Sequence, residues 1–357
     1  MKSLSVILAA CSVIALSACG GQKSASPPDE AAGKAVAPTG TPVTRDNFVR
    51  AETDRMFHDI AALSGGNVNQ FAHVRAATPL DQQTVVRMNR DTLYSGAVID
   101  TGGKGATITV PKMPDGRYAS VLLIDNDHYA VGVLYDPGVH KVPAASRHVA
   151  ALVRIQIKNM HDPKEVALVN RLQDQFKIEA GSAEPLPPLA WDKASLDTVR
   201  TELETGAQRF ANWEGAMGQR GKVDPEKHLY AAAAAWGLFP EAHATYFTYN
   251  GGHPNSGCFT ATYKVPRNKA FWSITVYGKT GFIETENSVL NSSNVKLNPD
   301  GSFTVFFGSK NACGDVPNRL DAPVGWNIMM RVYRPDPSIL GGGYKLPPAM
   351  PVTAAVQ

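Results

Sequence analysis

An excess of charge of one sign is what this chain most lacks. Its 35 Lys and Arg stand against 32 Asp and Glu, a formal net charge of +3 over 357 residues. No basic run carries interleaved aromatics, so nucleic acid is excluded as a leading partner. Long apolar runs are missing after the first twenty residues: nothing later reaches the roughly 18 apolar residues of a membrane-spanning helix. A His-x-His pair, a common metal-binding spacing, is absent. Asp125-Asn126-Asp127-His128 gathers oxygen and nitrogen ligands in one turn. It lacks the glycine and closing glutamate of an EF-hand loop, and neighbouring side chains in a turn rarely converge on one ion. No metal and no cofactor is therefore expected. A Gly-x-Ser-x-Gly elbow is also wanting, so no nucleophile announces itself.

Cysteine is scarce too, with four in the chain, and the place of each matters. Lys2 gives a basic start, Leu4 to Leu16 an apolar stretch, and Leu16-Ser17-Ala18-Cys19 closes it. This resembles the lipobox of bacterial lipoproteins. The resemblance implies cleavage before Cys19, diacylglycerol on its sulfur and an acyl group, of palmitate type, on the new amino terminus. Several acyl chains anchor far better than one. Gly20 follows where an aspartate would favour inner-membrane retention, so the expected location is the outer membrane, lipid-anchored and facing the periplasm. Cys11 leaves with the signal and Cys19 is lipidated, which leaves Cys258 and Cys313. An even pair in an oxidising compartment points to a disulfide.

Organisation follows from composition along the chain. Residues 1–18 form the signal peptide, and 19–43, rich in Gly, Ser, Ala and Pro, form a tether that cannot bury enough to order itself. Thr44 offers an N-cap for an amphipathic helix over 45–63. Strand-like runs then follow at Val85 to Met88, Tyr94 to Ile99, Ala106 to Val110, Tyr118 to Ile124, Tyr129 to Tyr135 and His148 to Ile157. Turn residues such as Pro114-Asp115-Gly116 and Asp136-Pro137-Gly138 separate several of them. Residues 44–160 are read as an N-terminal β domain.

The pattern changes at Asp162-Pro163-Lys164-Glu165, which has the cap, the N1 proline and the acidic third position of a helix start. Ser195 and Asp224-Pro225-Glu226 begin two more helices, the third stopping at Gly237. Residues 161–237 are thus expected to be a helical insertion, and 238–357 a C-terminal β domain. In its strands Trp272, Ile274 and Val276 oppose Ser273, Thr275 and Tyr277, while Trp326, Ile328, Met330 and Val332 oppose Asn327, Met329, Arg331 and Tyr333. Alternation of this kind gives each strand one apolar and one polar, aromatic face.

Asn89-Arg90-Asp91-Thr92-Leu93-Tyr94-Ser95 with Gly116-Arg117-Tyr118 resembles the first of two linked bacterial families of unknown function, number 1254. Phe271 to Tyr277, Asn298-Pro299-Asp300-Gly301-Ser302 and Arg331-Val332-Tyr333-Arg334-Pro335 resemble the second, number 1214. Together they span about residues 45 to 350. The resemblance implies a mainly β protein with α additions: two β-sandwich or jelly-roll-like domains joined by helical segments. It implies no reaction.

Function is read from the polar letters. Asn89, Arg90, Tyr94 and Arg117 of the first domain, with Trp272, Tyr277, Arg331 and Tyr333 of the second, suit stacking on a sugar ring combined with hydrogen bonding. The expected role is binding of a small polar or carbohydrate-like ligand between two β domains. One alternative is a hydrolase or lyase using Asp91 and His128, with Asp125 as a further candidate. Another is an assembly protein forming homo-oligomers through an exposed stripe on the helix over 195–217. Arg90→Ala is expected to strand a partner carboxylate, at roughly 3 kcal/mol if that partner is buried.

Overall fold

The computed structural model describes residues 40–352, except 84–85, 252 and 254–256. The signal peptide, Cys19 and the tether up to residue 39 lie outside the described residues. The last part of the expected tether is packed: Thr41 bridges Trp191 and Val43 is buried.

From the N-terminal side the elements are α1 (Phe48–Ala62), β1 (Ala72–His73), β2 (Thr92–Asp100), β3 (Ala106–Val110), β4 (Ala119–Ile124), β5 (Ala130–Leu134), β6 (Gly138–Lys141) and β7 (His148–Gln156). Next come α2 (Pro163–Gln173), β8 (Lys177–Ala180), α3 (Lys193–Gly206) and α4 (Pro225–Ala234). The remainder is β9 (Ala244–Tyr249), β10 (Phe259–Tyr263), β11 (Trp272–Tyr277), β12 (Val289–Asn291), β13 (Phe303–Phe307), α5 (Lys310–Cys313), β14 (Arg319–Leu320), β15 (Asn327–Tyr333) and β16 (Met350–Pro351). The protein is mainly β, and most pairings are antiparallel, the β13–β14 pair being parallel.

Four sheets are built from these strands, ordered β1-β2-β7-β4-β5, β6-β3-β8, β12-β11-β15-β9 and β14-β13-β10-β16. The first two enclose one core, in which Ile99, Val121 and Val153 meet Ile108 and, from α2, Leu172. The last two enclose another, in which Trp272, Ile274, Ile328 and Met330 meet Tyr263, Phe303 and Phe307. The other face of the five-stranded sheet is covered as well. Val98, Leu122 and Leu152 pack against Met56, Phe57 and Ile60 of α1 and against Trp236 and Phe239. Double coverage explains why β2, β4 and β7 are buried along their whole length.

Helix starts follow their capping chemistry. Asp162 accepts from the Lys164 N–H and Asp224 from those of Glu226 and Lys227, each ahead of a first-turn proline, as the sequence indicates. Two starts differ. Asn47, not Thr44, precedes α1, and Asp192, whose carboxylate accepts from the Ser195 N–H, caps α3. In the α3 case a carboxylate three residues upstream supplies the acceptor that the serine was expected to provide.

The segment 161–237 is not wholly helical, since β8 pairs with β3 from Ala106↔Ala180 to Thr109↔Lys177. Lys177 and Glu179 alternate with Ile178 and Ala180, which pack on the first core, so a short period-2 pattern is hidden among helical signals. The helix of 195–217 stops at Gly206. Its stripe is covered rather than exposed: Leu196 and Leu203 pack with Phe48 and Ala51 of α1 and Tyr230 of α4. Val86 to Met88 form a turn and coil rather than the strand expected over Val85 to Met88, with Val85 outside the described residues. Cys258 and Cys313 are joined by a disulfide across a sequence separation of 55. Gly308 makes room for it, because a Cβ there would lie 2.8 Å from the Cys313 sulfur. No described helix is long and apolar enough to cross a membrane.

Candidate functional site

The polar stretch before β2 meets the polar face of β11 and β15. Those strands are antiparallel neighbours, with Ser273 opposite Arg331 and Tyr277 opposite Asn327. Asn89 organises the near side. Its Oδ1 accepts from the Asp91 N–H at 2.9 Å, and its Nδ2 faces the hydroxyls of Tyr94 at 2.9 Å, Thr92 at 3.0 Å and Tyr333 at 3.0 Å. Asp91, fully buried, accepts from the Tyr333 hydroxyl at 2.9 Å and from the Ser273 hydroxyl.

A second knot lies farther along the same face. Tyr277 donates to the Met88 carbonyl at 2.9 Å. Arg331 donates to the Tyr277 oxygen at 2.8 Å, to the Arg87 carbonyl at 2.7 Å and to Thr275 Oγ1 at 3.2 Å. Arg87, at φ +57, donates to Asn327, whose amide donates to the Gly278 carbonyl at 2.8 Å. Burial lifts the Tyr333 and Tyr277 hydroxyls above the usual phenol range. Asp91 adds to the rise at Tyr333, while Arg331 opposes it at Tyr277. Both rings therefore serve as neutral donors at neutral pH.

This seam corrects the expected open groove. Tyr277, Arg331 and Tyr333 do share a face with one another, but the Asn89 to Tyr94 segment covers it, and the polar groups spend their bonds on protein. Tyr94 lies under the Arg154 guanidinium, 5.4 Å from its ring centre. Trp272 points the other way, stacked on Phe303 at 4.4 Å inside the C-terminal core. Arg90 is buried and pairs with Glu286 at 3.0 Å.

Asp91 and His128 are not brought together. With Thr92 opposite Gln156 and Ile124 opposite Ala150, Asp91 and the 125–128 turn lie beyond opposite ends of the five-stranded sheet, roughly 20 Å apart at about 3.3 Å per residue. Asp125 accepts from the N–H groups of Asp127 and Tyr129, both at 2.9 Å, and from Arg220 at 3.2 Å. His128 Nε2 accepts from the Gly237 N–H at 2.9 Å, and its ring stacks on Trp236 at 5.3 Å. Burial, with His228 adding, drives its pKa well below the usual histidine value.

An open cleft of about 230 Å³ lies at another part of the junction, between the β3–β4 and β5–β6 connections and the residues flanking β11 and β15. Of the residues singled out by sequence, Arg117 lines it. Its guanidinium is held by Glu165 at 2.7 and 3.0 Å and donates to the Gln156 carbonyl at 2.6 Å. Its buried Nε–H has no acceptor among the described residues. Tyr135 forms a half-buried wall, its hydroxyl 2.8 Å from His243 Nδ1. The Arg334 guanidinium lies 4.5 Å from the Tyr135 ring centre. Burial pushes the Tyr135 hydroxyl up to about 12 despite Arg334 and Arg154, and burial followed by Arg334 lowers the His243 pKa. The pair is therefore a neutral hydrogen-bonding unit. Lys112 and Lys269 stand exposed at the rim.

Sequence reasoning missed Tyr135, His243, Lys112, Lys269 and Arg334. Arg334 sits inside the Arg331 to Pro335 motif and Tyr135 precedes the Asp136-Pro137-Gly138 turn, so both were in view. What local pattern does not carry is that a residue near 135 meets one near 334.

Two family models match this chain. One, described as a protein of unknown function (DUF1254), covers residues 68–137, and another of the same description (DUF1214) covers 253–337. The cleft takes Lys112, Arg117 and Tyr135 from the DUF1254 segment and Lys269 and Arg334 from the DUF1214 segment. Among solved structures, the VPA0106 protein from Vibrio parahaemolyticus is 16% identical at a TM-score of 0.67, over 87% of this chain and 98% of that one. The fold is therefore shared between the two. An uncharacterised protein from Burkholderia cenocepacia is 16% identical over 82% of this chain and 84% of that one, at a TM-score of 0.46. A search of curated proteins finds no match.

Proposed function

We propose that this is a lipid-anchored envelope protein that binds a small polar, carbohydrate-like ligand in the cleft between its DUF1254 and DUF1214 segments. The observation that carries the reading is the cleft itself: about 230 Å³, lined from both segments, with the aromatic wall of Tyr135 and Tyr118 beside hydrogen-bonding side chains. An aromatic face beside fixed donors suits a sugar-sized ring. Jelly-roll-like winding of the two β bodies is supported by strand orders that skip along the chain, such as β2-β7-β4 and β11-β15-β9.

A thermal-shift panel of monosaccharides and small polar metabolites tests the ligand. A binder raises the melting midpoint by about 2 °C or more at saturating concentration, and Tyr135→Ala abolishes the rise. A panel without any such rise, or a rise untouched in Tyr135→Ala, overturns the cleft as the site. The anchor rests on the lipobox ending at Cys19. Cys19→Ala is expected to move the protein from the membrane to the soluble periplasmic fraction, and continued membrane co-fractionation would refute it.

A further inference from the structure

The charges around the cleft are unequal. Lys112, Arg117, Lys269 and Arg334 line it, and Asp136 is the lone carboxylate among the described lining residues. Glu165 neutralises Arg117, so three cations remain against one carboxylate. Cations gathered on one concave surface repel one another, and an anion placed among them relieves that repulsion.

Arg334 stands out among them. Its backbone is left-handed, φ +50, a conformation uncommon for a residue other than glycine and costing on the order of 1 kcal/mol. Neighbouring backbone enforces it: the Arg334 N–H donates to the His243 carbonyl at 2.8 Å, and the Arg334 carbonyl accepts from the Lys269 N–H at 2.9 Å. The same bonds tie Arg334 and Lys269 to one another and to the turn that ends at His243, just before β9. The Arg334 guanidinium rests on the Tyr135 ring, which leaves its edge N–H groups available. Among the described residues no carboxylate pairs with it. A stacked, half-buried guanidinium with a free edge presents the planar fork that matches a carboxylate or phosphate. Arg117, whose buried Nε–H has no acceptor among the described residues, lines the same cleft.

We propose that the cleft is an oxyanion site: its ligand carries a carboxylate or phosphate group, gripped by Arg334 with Lys269 and Lys112, while its polar body lies against Tyr135. This rests on the cleft being a ligand site and narrows the ligand to an acidic small molecule, such as a sugar acid or sugar phosphate. Arg334 is the specificity-determining residue, and Tyr135 positions it.

Isothermal titration of the full mature chain at low ionic strength, with inorganic phosphate, glucuronate and neutral glucose as probes, tests the assignment. Glucuronate is expected to bind more tightly than glucose by about tenfold or more, the worth of one charge-assisted pair. Arg334→Gln and Lys269→Gln each remove that advantage, and Arg334→Lys, which keeps the charge but not the fork, retains part of it. Phosphate binding without glucuronate binding identifies the phosphate arm, and the reverse the carboxylate arm; either supports the site. Glucose binding as tightly as glucuronate, and lost in Tyr135→Ala, overturns the oxyanion assignment while leaving a polar-ligand cleft. No binding of any probe, in a protein whose melting curve is normal, overturns both. Glucuronate affinity within about twofold of wild type in Arg334→Gln removes Arg334 from the site.

Discussion

Asp91 accepts hydrogen bonds from two hydroxyls that belong to the other β body, those of Ser273 and Tyr333. Asp91→Ala strands both donors in a dry seam, and bonds to a charged acceptor are the stronger kind. A loss of about 3 kcal/mol in urea unfolding is expected, and a loss below about 1 kcal/mol would show that the seam is wet. Arg90 is the opposite case. Its partner Glu286 has a 58% exposed side chain, so Arg90→Ala leaves that carboxylate in water. The cost should be about 1 kcal/mol, not the larger value a buried partner would impose. His128 adds a pH dependence. Its folded pKa lies well below the usual value because of burial. The unfolded chain therefore takes up a proton near pH 6.5 that the folded chain refuses, and stability falls as pH drops below that point, by up to about 1.4 kcal/mol per unit until the folded pKa is reached. His128→Gln can keep an acceptor for the Gly237 N–H and should flatten part of that slope below about pH 6.5. Equal slopes in the two proteins would exclude His128 as the source.

Elements carry a different kind of stability. The disulfide closes a loop of 55 residues from the edge of β10 to α5, and the chain-entropy estimate for a loop that size is about 4 kcal/mol. Reductant should lower the urea midpoint of the wild type and leave a Cys258→Ala/Cys313→Ala double variant unchanged. A wild-type midpoint indifferent to reductant would mean that the bond is not formed in solution. At this scale the sequence was most legible. Alternation along Trp272 to Tyr277 and Trp326 to Tyr333 sorted both faces correctly, and Ile274, Val276, Ile328 and Met330 are in the core. The caps at Asp162 and Asp224 were also readable, because a cap is a bond within four residues. Strand β8 was not, since four residues between two helices offer too short a period, and its pairing with β3 is made some seventy residues away.

For the molecule as a whole, sequence marked which residues are polar within the β bodies but not what they face. A hydrogen-bonded joint and a ligand site use the same letters. Asn89, Tyr277 and Tyr333 proved to be joint, while Tyr135 and Arg334, joined by an approach of chain regions about two hundred residues apart, form the cleft. Telling the two apart requires knowing which remote segment lies over a given face, and no local period records that.

The seam between the bodies has one more consequence. Oil slides on oil, but a lattice of directional bonds such as Asp91 to Tyr333 and Arg331 to the Arg87 carbonyl tolerates neither slip nor tilt. Neither half is thus a transplantable part. Severed from its neighbour, each would carry a row of thirsty groups into water and lose the orientation that sets Tyr135 opposite Arg334, and any graft or truncation of this architecture has to cut outside the pair.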